Sequence, residues 1–597
     1  MGKLKINKIR IDNFDFEAFS KEYTILRLES KNSKYVYGAE ILDTLKKEDS
    51  GAKSICYRGG NIYVLVSSKD EESVKRTCSR LITTGELKAP WPVSAESIPS
   101  IAVQLLINCL PGIGRLPDVS YVNLTGQMYC HHVAWEKKGV YVVLRITVKK
   151  DLSLVAEADS FSKKPATYEI KGKRPVYVLD EQGYMQRTFD FGQKDLYMNK
   201  RFDNGKASIP FLNIQNEAEF LKTKMGVLSR VMDQYNETFG AFHRLELFEV
   251  EVENRMAKTR TEFQKMIKEP RSEWVNANGI TIEDAVGDEY SKGQITRIKE
   301  FIESEYGDVI KTAGSGPKLR LIHDRQWFED NRKEDHHILS SEEGVQQITI
   351  ETVSETKKLD PIINTCINNL IIKDDLTRGR LSIGKLELDK DIIFGVQAKT
   401  PDDKTGKKHY LFLTIGKDGS ITAEKHEVNP FGDDKEDKLI DILMNLRDED
   451  SRDLRGIIQY GDSIATLFDT SMFTISENDL IQAQMKENAG TGRSSLVERT
   501  EENREVALVA ITDINSFTFE GTSDSFYNVG VLGGGMQTSI KDASLIRRIH
   551  TEAGEDISQI LLPMMCEGHV RNEQLTVVPF PFKYLNEFAK MNGLEII

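Results

Sequence analysis

From Lys318 to the C-terminus the sequence alternates short apolar runs with helical stretches, and this order restricts the fold more than any other feature of the chain. The run Leu319-Arg320-Leu321-Ile322-His323 has the length and composition of a strand, and a short helix through Trp327 and Phe328 can follow it. Residues 345–350 form a second β-prone run, and the apolar spacing over 360–370 predicts a helix. Strands separated by helices in this order build a Rossmann-like layer, because each helix returns the chain to start the next strand in the same direction. Beyond Gly379 strand signals dominate, at 381–388, 392–398, 410–415, 457–460, 506–511 and 575–578, with helices between them. A mixed sheet flanked by helices is the expected outcome.

The N-terminal half carries weaker signals. Residues 1–95 mix β-prone runs such as Ile62-Tyr63-Val64-Leu65-Val66 with polar helical segments, and they end at Pro90-Trp91-Pro92. Region 96–215 opens with an amphipathic helix over 97–110 and continues with strand signals at 119–124, 140–148 and 176–179. Region 216–315 reads as a mainly helical linker with a strand-like interruption at 245–252. With 316–385 as the Rossmann-like unit and 386–597 as the mixed-sheet unit, the expected fold is α/β multidomain with a mixed α+β N-terminal half.

Composition excludes some classes. Hydrophobic residues at 39% and charged residues at 29% are those of a globular protein. No run approaches the roughly 18 apolar residues of a membrane span. The start MGKLKINKIR is not followed by an apolar segment, so the expected location is cytoplasmic. None of the six cysteines lies within four residues of another, a spacing of core thiols and not of a zinc or disulfide framework. The net charge of −13 disfavours polyanions only on average, since acid is concentrated at 433–437 and 448–453.

Several segments then carry a resemblance. The run Cys566-Glu567-Gly568-His569-Val570-Arg571, followed by 576–586 (TVVPFPFKYLN), is similar to the end of the PIWI domain of Argonaute proteins. Ile392-Ile393-Phe394-Gly395-Val396-Gln397-Ala398-Lys399-Thr400-Pro401 resembles the first PIWI strand. Gly456-Ile457-Ile458-Gln459-Tyr460-Gly461-Asp462 resembles the strand written IIxYRDG, and residues 506–511 resemble the next one. Just upstream, 369–379 (NLIIKDDLTRG) resembles the helix that closes the MID domain. The resemblance covers about 316–597 and implies a Rossmann-like MID domain followed by an RNase H-like PIWI domain. By position, a PAZ domain is expected to be absent or vestigial.

The resemblance implies a pocket for the 5′-phosphate of a guide strand, built from Phe328, Arg332, Gln346 (Gln347 is the alternate), Lys373 and Arg571. The carboxylate of Ile597 is expected to join through Mg²⁺. The chemistry is sound: a terminal phosphate needs converging cationic and amide donors, and an aromatic ring can stack on the first base. Slicing members of the family cut by two-metal chemistry on clustered carboxylates. Here the first-strand Asp position is Gln397, the second Asp corresponds to Asp462, and the final Asp or His position is Asn586; Glu427 is a candidate for the loop glutamate. A neutral amide is a poor metal anchor. The resemblance therefore implies an inactive PIWI domain, as in short prokaryotic defence Argonautes of the plasmid-eliminating DdmE type. Its expected partners are a guide, a complementary target and a separate helicase or nuclease effector. Two competing readings are an active guided endonuclease and a metal-dependent phosphohydrolase built on His323, Asp324, Asp335, His336 and His337.

Overall fold

The computed structural model describes residues 2–29, 51–76, 88–112, 119–124, 127–135, 139–167, 176–179, 185–188, 195–199, 209–254, 260–311, 316–333, 337, 344–382, 386–401, 408–427, 438–446, 453–475, 481–483, 485–486, 489, 514–519, 521–529, 539–566 and 576–597. Near the N-terminus, Ala52–Arg58, Asn61–Ser67, Tyr23–Glu29 and Trp91–Val93 form one antiparallel sheet in that order. Its first hairpin turns through Gly59 and Gly60, whose φ values of +58° and +78° suit a tight two-residue turn that β-carbons would strain. A second antiparallel sheet takes seven strands between Val119 and Asn199. The helix Pro99–Cys109 fills the space between the two sheets and is buried from Ser100 to Cys109. Its Gln104 donates to Ile146 O and accepts from the Val148 N–H of the second sheet, while Asn108 donates to Ile55 O of the first, so its polar side chains join the sheets through the helix.

The parallel layer is larger than its sequence signal. Thr281–Asp284 pairs with Lys318–Ile322, which pairs with Val345–Thr349, all parallel. Trp274, Val275, Ile298, Ile302, Leu319, Leu321, Ile363 and Ile367 share one core, drawn from the helices Arg260–Asn278, Glu289–Tyr306 and Asp360–Arg378 as well as the sheet. The unit expected to start at 316 thus starts near 260, and 216–315 is no simple helical linker. Two expected strands are not formed: 386–388 and 576–578 are irregular, while 506–511 falls outside the described residues.

Leu212–Asn213 and Ser539–Ile540 form a separate pair, and the other strands build an eleven-stranded sheet that reaches from Gly2–Ile9 to Glu595–Ile596. Its first strand, Gly2–Ile9, pairs with Leu247–Asn254 and also with the end of Ser463–Ile475. Leu247–Asn254 pairs with Ile514–Thr518, which pairs with Ser525–Val529, then Leu545–Ala553, then Ser463–Ile475 again. Six strands therefore close into a ring around Ile6, Val250, Val252, Met472, Phe517, Phe526 and Ile546. The other arm of the sheet runs outward through Leu454–Tyr460, Ile392–Lys399, Lys408–Ile415 and Ile421–Glu427. Among the described residues no helix is long and apolar enough to cross a membrane.

Asn7 ties the ring to the N-terminal half. It is fully buried, donates to Leu154 O (2.9 Å) and Ser471 O (3.0 Å), and accepts from the Phe473 N–H (2.8 Å). Removing its amide strands three buried backbone groups at once. Asn7→Ala is expected to lower stability by about 2–5 kcal/mol in chemical denaturation. A loss below about 0.5 kcal/mol, the size of an ordinary surface change, would show that this tie is dispensable.

Candidate nucleic-acid interface

The strand Ile392–Lys399 carries the position where the resemblance expects a catalytic carboxylate. Its Gln397 is 6% exposed and donates through Nε2 to Leu443 O at 2.8 Å, fastening the helix Lys438–Asn445 to the sheet. Leu454–Tyr460 runs antiparallel beside it, with Tyr460 opposite Ile392 and Ile457 opposite Gly395. Asp462 lies just beyond Tyr460, exposed in the turn to Ser463. Roughly 16 Å of strand separates Ile392 from Gln397, whereas two-metal sites gather their ligands around ions about 4 Å apart. The expectation that Asp462 shares a site with position 397 is overturned.

The cause is local. A two-residue turn, Gly461 (φ +59°) and Asp462, forces the strand after it to run antiparallel to the strand before it. Ser463–Ile475 has its direction fixed by Leu545–Ala553 and Gly2–Ile9, so Leu454–Tyr460 must run the other way. The slot it leaves beside the end of Ile392–Lys399 is filled by the chain's last residues. Ile596 pairs with Ala398, Glu595 with Lys399, and the Ile597 N–H donates to Gln397 O at 3.0 Å. Asn586 is half-buried on the helix Pro581–Met591, and Glu427 ends its strand opposite His409.

The expected phosphate pocket is gathered only in part. Lys373 donates to Val345 O at 2.6 Å, one residue before Gln346, whose amide donates to Gln347 O. Phe328 is buried, edge-on to Trp327 with centroids 5.2 Å apart, and also packs against His323 and His337; its ring belongs to the core and offers no open face to a base. Arg332 is exposed and ends the helix Arg325–Asn331 in a left-handed conformation, φ +52°. The Ile597 N–H donates to Gln397 O, which places the exposed last residue at the end of Ile392–Lys399. Arg571 falls outside the described residues.

The histidine set is divided as well. His323 Nδ1 lies 2.8 Å from Glu351 and its ring stacks on Trp327 at 3.6 Å, while Asp324 caps the 325–331 helix. Asp335 and His336 are outside the described residues, among which no three His, Cys, Asp or Glu side chains converge as metal ligands. A cleft of about 1040 Å³ lies elsewhere, between Gly2–Ile9, Leu247–Asn254 and the helix Lys224–Phe239. Lys5, Lys8 and Arg10 face Asp233, Glu246 and Glu249 there, a mixed lining that holds no preference for a polyanion.

What sequence reasoning missed is the seam between the helices Asp360–Arg378 and Pro581–Met591. Asp375, fully buried, accepts from Tyr584 Oη at 2.7 Å, from Ser382 Oγ and from Arg378 at 3.2 Å. Burial outweighs these donors and raises its carboxyl above the ordinary value. Glu587, 1% exposed, takes Lys590 at 2.8 Å and Lys583 at 3.4 Å on Oε1. Burial alone would raise the Glu587 carboxyl, but the charges of Lys590, Lys583 and Lys373 hold it below its usual range. Burial lowers the Lys373 ammonium, against the pull of Glu587. Lys583, Glu587 and Lys590 are spaced four and three apart, a pattern that reads as a solvated helix face. Only packing shows that Glu587 is internal while Lys590 stays half exposed.

A depressed carboxyl contributes stability above its unfolded value, and that contribution is lost as pH falls through the folded value. The stability gap between wild type and Glu587→Gln is therefore expected to be largest near neutral pH and to close below about pH 4. A gap independent of pH would remove the ion cluster from the account.

No protein-family model matches the chain, and no curated protein sequence does. Among solved structures, the Argonaute of Kluyveromyces polysporus, crystallised with a guide RNA, is similar over 97% of this chain and 92% of its own, with a TM-score of 0.53 at 9% identity. Clostridium butyricum Argonaute, bound to a guide DNA and a 19-mer target DNA, aligns over 99% and 98% at 9% identity, but its TM-score of 0.41 is too low to bear weight. The first likeness concerns the fold, and it spans the N-terminal sheets, the parallel layer and the eleven-stranded sheet alike. This chain has the multidomain α/β fold of an Argonaute.

Proposed function

We propose that this protein holds one nucleic-acid strand as a guide, pairs it with a complementary strand and leaves that strand uncut. The observation that carries the reading is the fold likeness to a guide-bound Argonaute, which runs through nearly the whole chain. We assign the guide's end to the seam between the 360–378 and 581–591 helices, the first carrying Lys373, bonded to Val345 O one residue before Gln346, and the second carrying Lys583 and Lys590. The absence of cutting is supported by the end of Ile392–Lys399. An amide occupies position 397, the last strand of the chain fills the adjoining slot, and Asp462 lies at the opposite end.

A binding module of this kind needs another protein to act on what it has found. The reading therefore includes a helicase or nuclease that joins after target pairing, in a cytoplasmic prokaryotic defence against plasmids or phage. Plasmid loss that proceeds in a host lacking any such second gene would contradict this part.

Loaded with a labelled DNA or RNA guide in Mg²⁺ or Mn²⁺, the protein is expected to bind the complementary strand at least about tenfold more tightly than a mismatched one and to yield no fragment. A product of fixed length set by the guide would overturn the reading. Gln397→Asp is expected to remain inactive, because among the described residues no set of carboxylates converges there to hold a metal ion and Asp462 lies at the opposite end of the neighbouring strand. It should also cost about 1–3 kcal/mol, since the carboxylate cannot donate to Leu443 O. Cleavage gained by this single change would contradict the geometry.

A further inference from the structure

We infer that the trough between Leu247–Asn254 and Ile514–Thr518 takes up an extended segment of a partner protein as an added strand, one that alternates apolar residues with lysine or arginine. These two strands pair only at Glu253 with Ser516 and at Asn254 with Asn515. One edge of 247–252 is taken by Gly2–Ile9, and among the described residues no strand pairs with the other edge. Toward Thr518 the strands diverge and leave a trough of about 750 Å³ between them. An open edge of this length runs for about 20 Å and presents a row of backbone N–H and C=O groups, which is what a pairing strand needs.

The walls specify the occupant. Phe248, Val250 and Val252 share the ring core with Phe517 and Phe519, while Glu249, Glu251 and Glu253 lie on the opposite, exposed face. The Phe248 and Phe519 rings meet edge-on across the gap with centroids 6.2 Å apart, so the trough has an aromatic floor. Asp556 adds a fourth carboxylate, and no lysine or arginine lines the trough among the described residues. Lys3, bonded to Glu249 at 2.7 Å, and Lys8, 4.8 Å over the Phe519 ring, offset this charge only in part. Side chains of a strand alternate between its faces. A segment laid in the trough therefore sets every second residue on the aromatic floor and the others beside the glutamates, where lysine or arginine is attracted and a carboxylate repelled. The same glutamates deter two copies of this chain from pairing edge to edge, since like charges would then stand opposite one another. Phosphates are repelled as well, which sets the trough apart from a nucleic-acid groove.

The test uses the full-length protein and labelled, end-capped peptides of about eight residues, read by fluorescence anisotropy. A peptide alternating Val and Lys is expected to bind at least about tenfold more tightly than one alternating Val and Glu, and to slow hydrogen exchange at 248–252 and 517–519. Methylating every second backbone amide of the Val-Lys peptide, in at least one of the two phases, is expected to weaken it about tenfold or more. Glu251→Gln changes an exposed residue and is expected to weaken the same peptide about threefold or more. Equal binding of the Val-Lys and Val-Glu peptides would overturn the inference without reliance on any variant. Unchanged affinity in both methylated peptides would leave charge attraction with no added strand, and unchanged affinity in Glu251→Gln would place the peptide elsewhere; either result overturns it too. A dimer of this chain that the peptide dissociates would make a second copy the occupant, and would likewise contradict it.

Discussion

Pairing between the first strand of the chain and strands from its last third is the constraint on which the rest of the structure depends. Gly2–Ile9 closes a six-strand ring by touching both Leu247–Asn254 and Ser463–Ile475, and buried Asn7 binds that ring to Leu154 of the N-terminal half. The ring sets the direction of Ser463–Ile475. A two-residue turn then sets the direction of Leu454–Tyr460, and that direction puts Asp462 and Gln397 at opposite ends of neighbouring strands. The chemistry at position 397 is thus decided by hydrogen bonds formed hundreds of residues away in sequence.

The seam depends on a different balance. Buried charges are tolerated when they are paired, and removal of one partner leaves the other uncompensated. Asp375 with Tyr584 holds the parallel layer against the last helix through a polar contact, Glu587 pairs with Lys583 and Lys590 within that helix, and Ile363, Ile367 and Leu370 supply the apolar packing on the layer's side. A site that must instead hold two metal ions needs uncompensated carboxylates pointing into one space, and the end of Ile392–Lys399 supplies an amide and a paired chain terminus.

Much of this was legible in the sequence. The runs at 319–323, 345–349 and 392–398 are apolar and bounded by turn residues, and each forms a strand. The amides at 397 and 586 could be read directly, because residue identity needs no geometry. Thr281–Asp284 escaped notice since four residues behind a Pro-containing helix give too short a signal. The convergence of Asp462 with position 397 could not be judged, because strand direction is a tertiary property. Phe328 looked like a stacking platform, but seven helical residues do not reveal which face is buried. Glu587 was hidden by its own spacing, since lysines three and four residues away are the ordinary mark of a solvated face.

The central claim is that a strand's end is held between the 360–378 and 581–591 helices. The most direct measurement places a photoreactive base at the first position of a bound guide and maps the crosslinked peptides by mass spectrometry. Crosslinks concentrated in residues 369–382 and 581–591, and lost when the reactive base is moved to the middle of the guide, are the expected result. Crosslinks concentrated in the cleft lined by Lys5, Lys8 and Arg10, or a pattern that ignores the position of the reactive base, would contradict it.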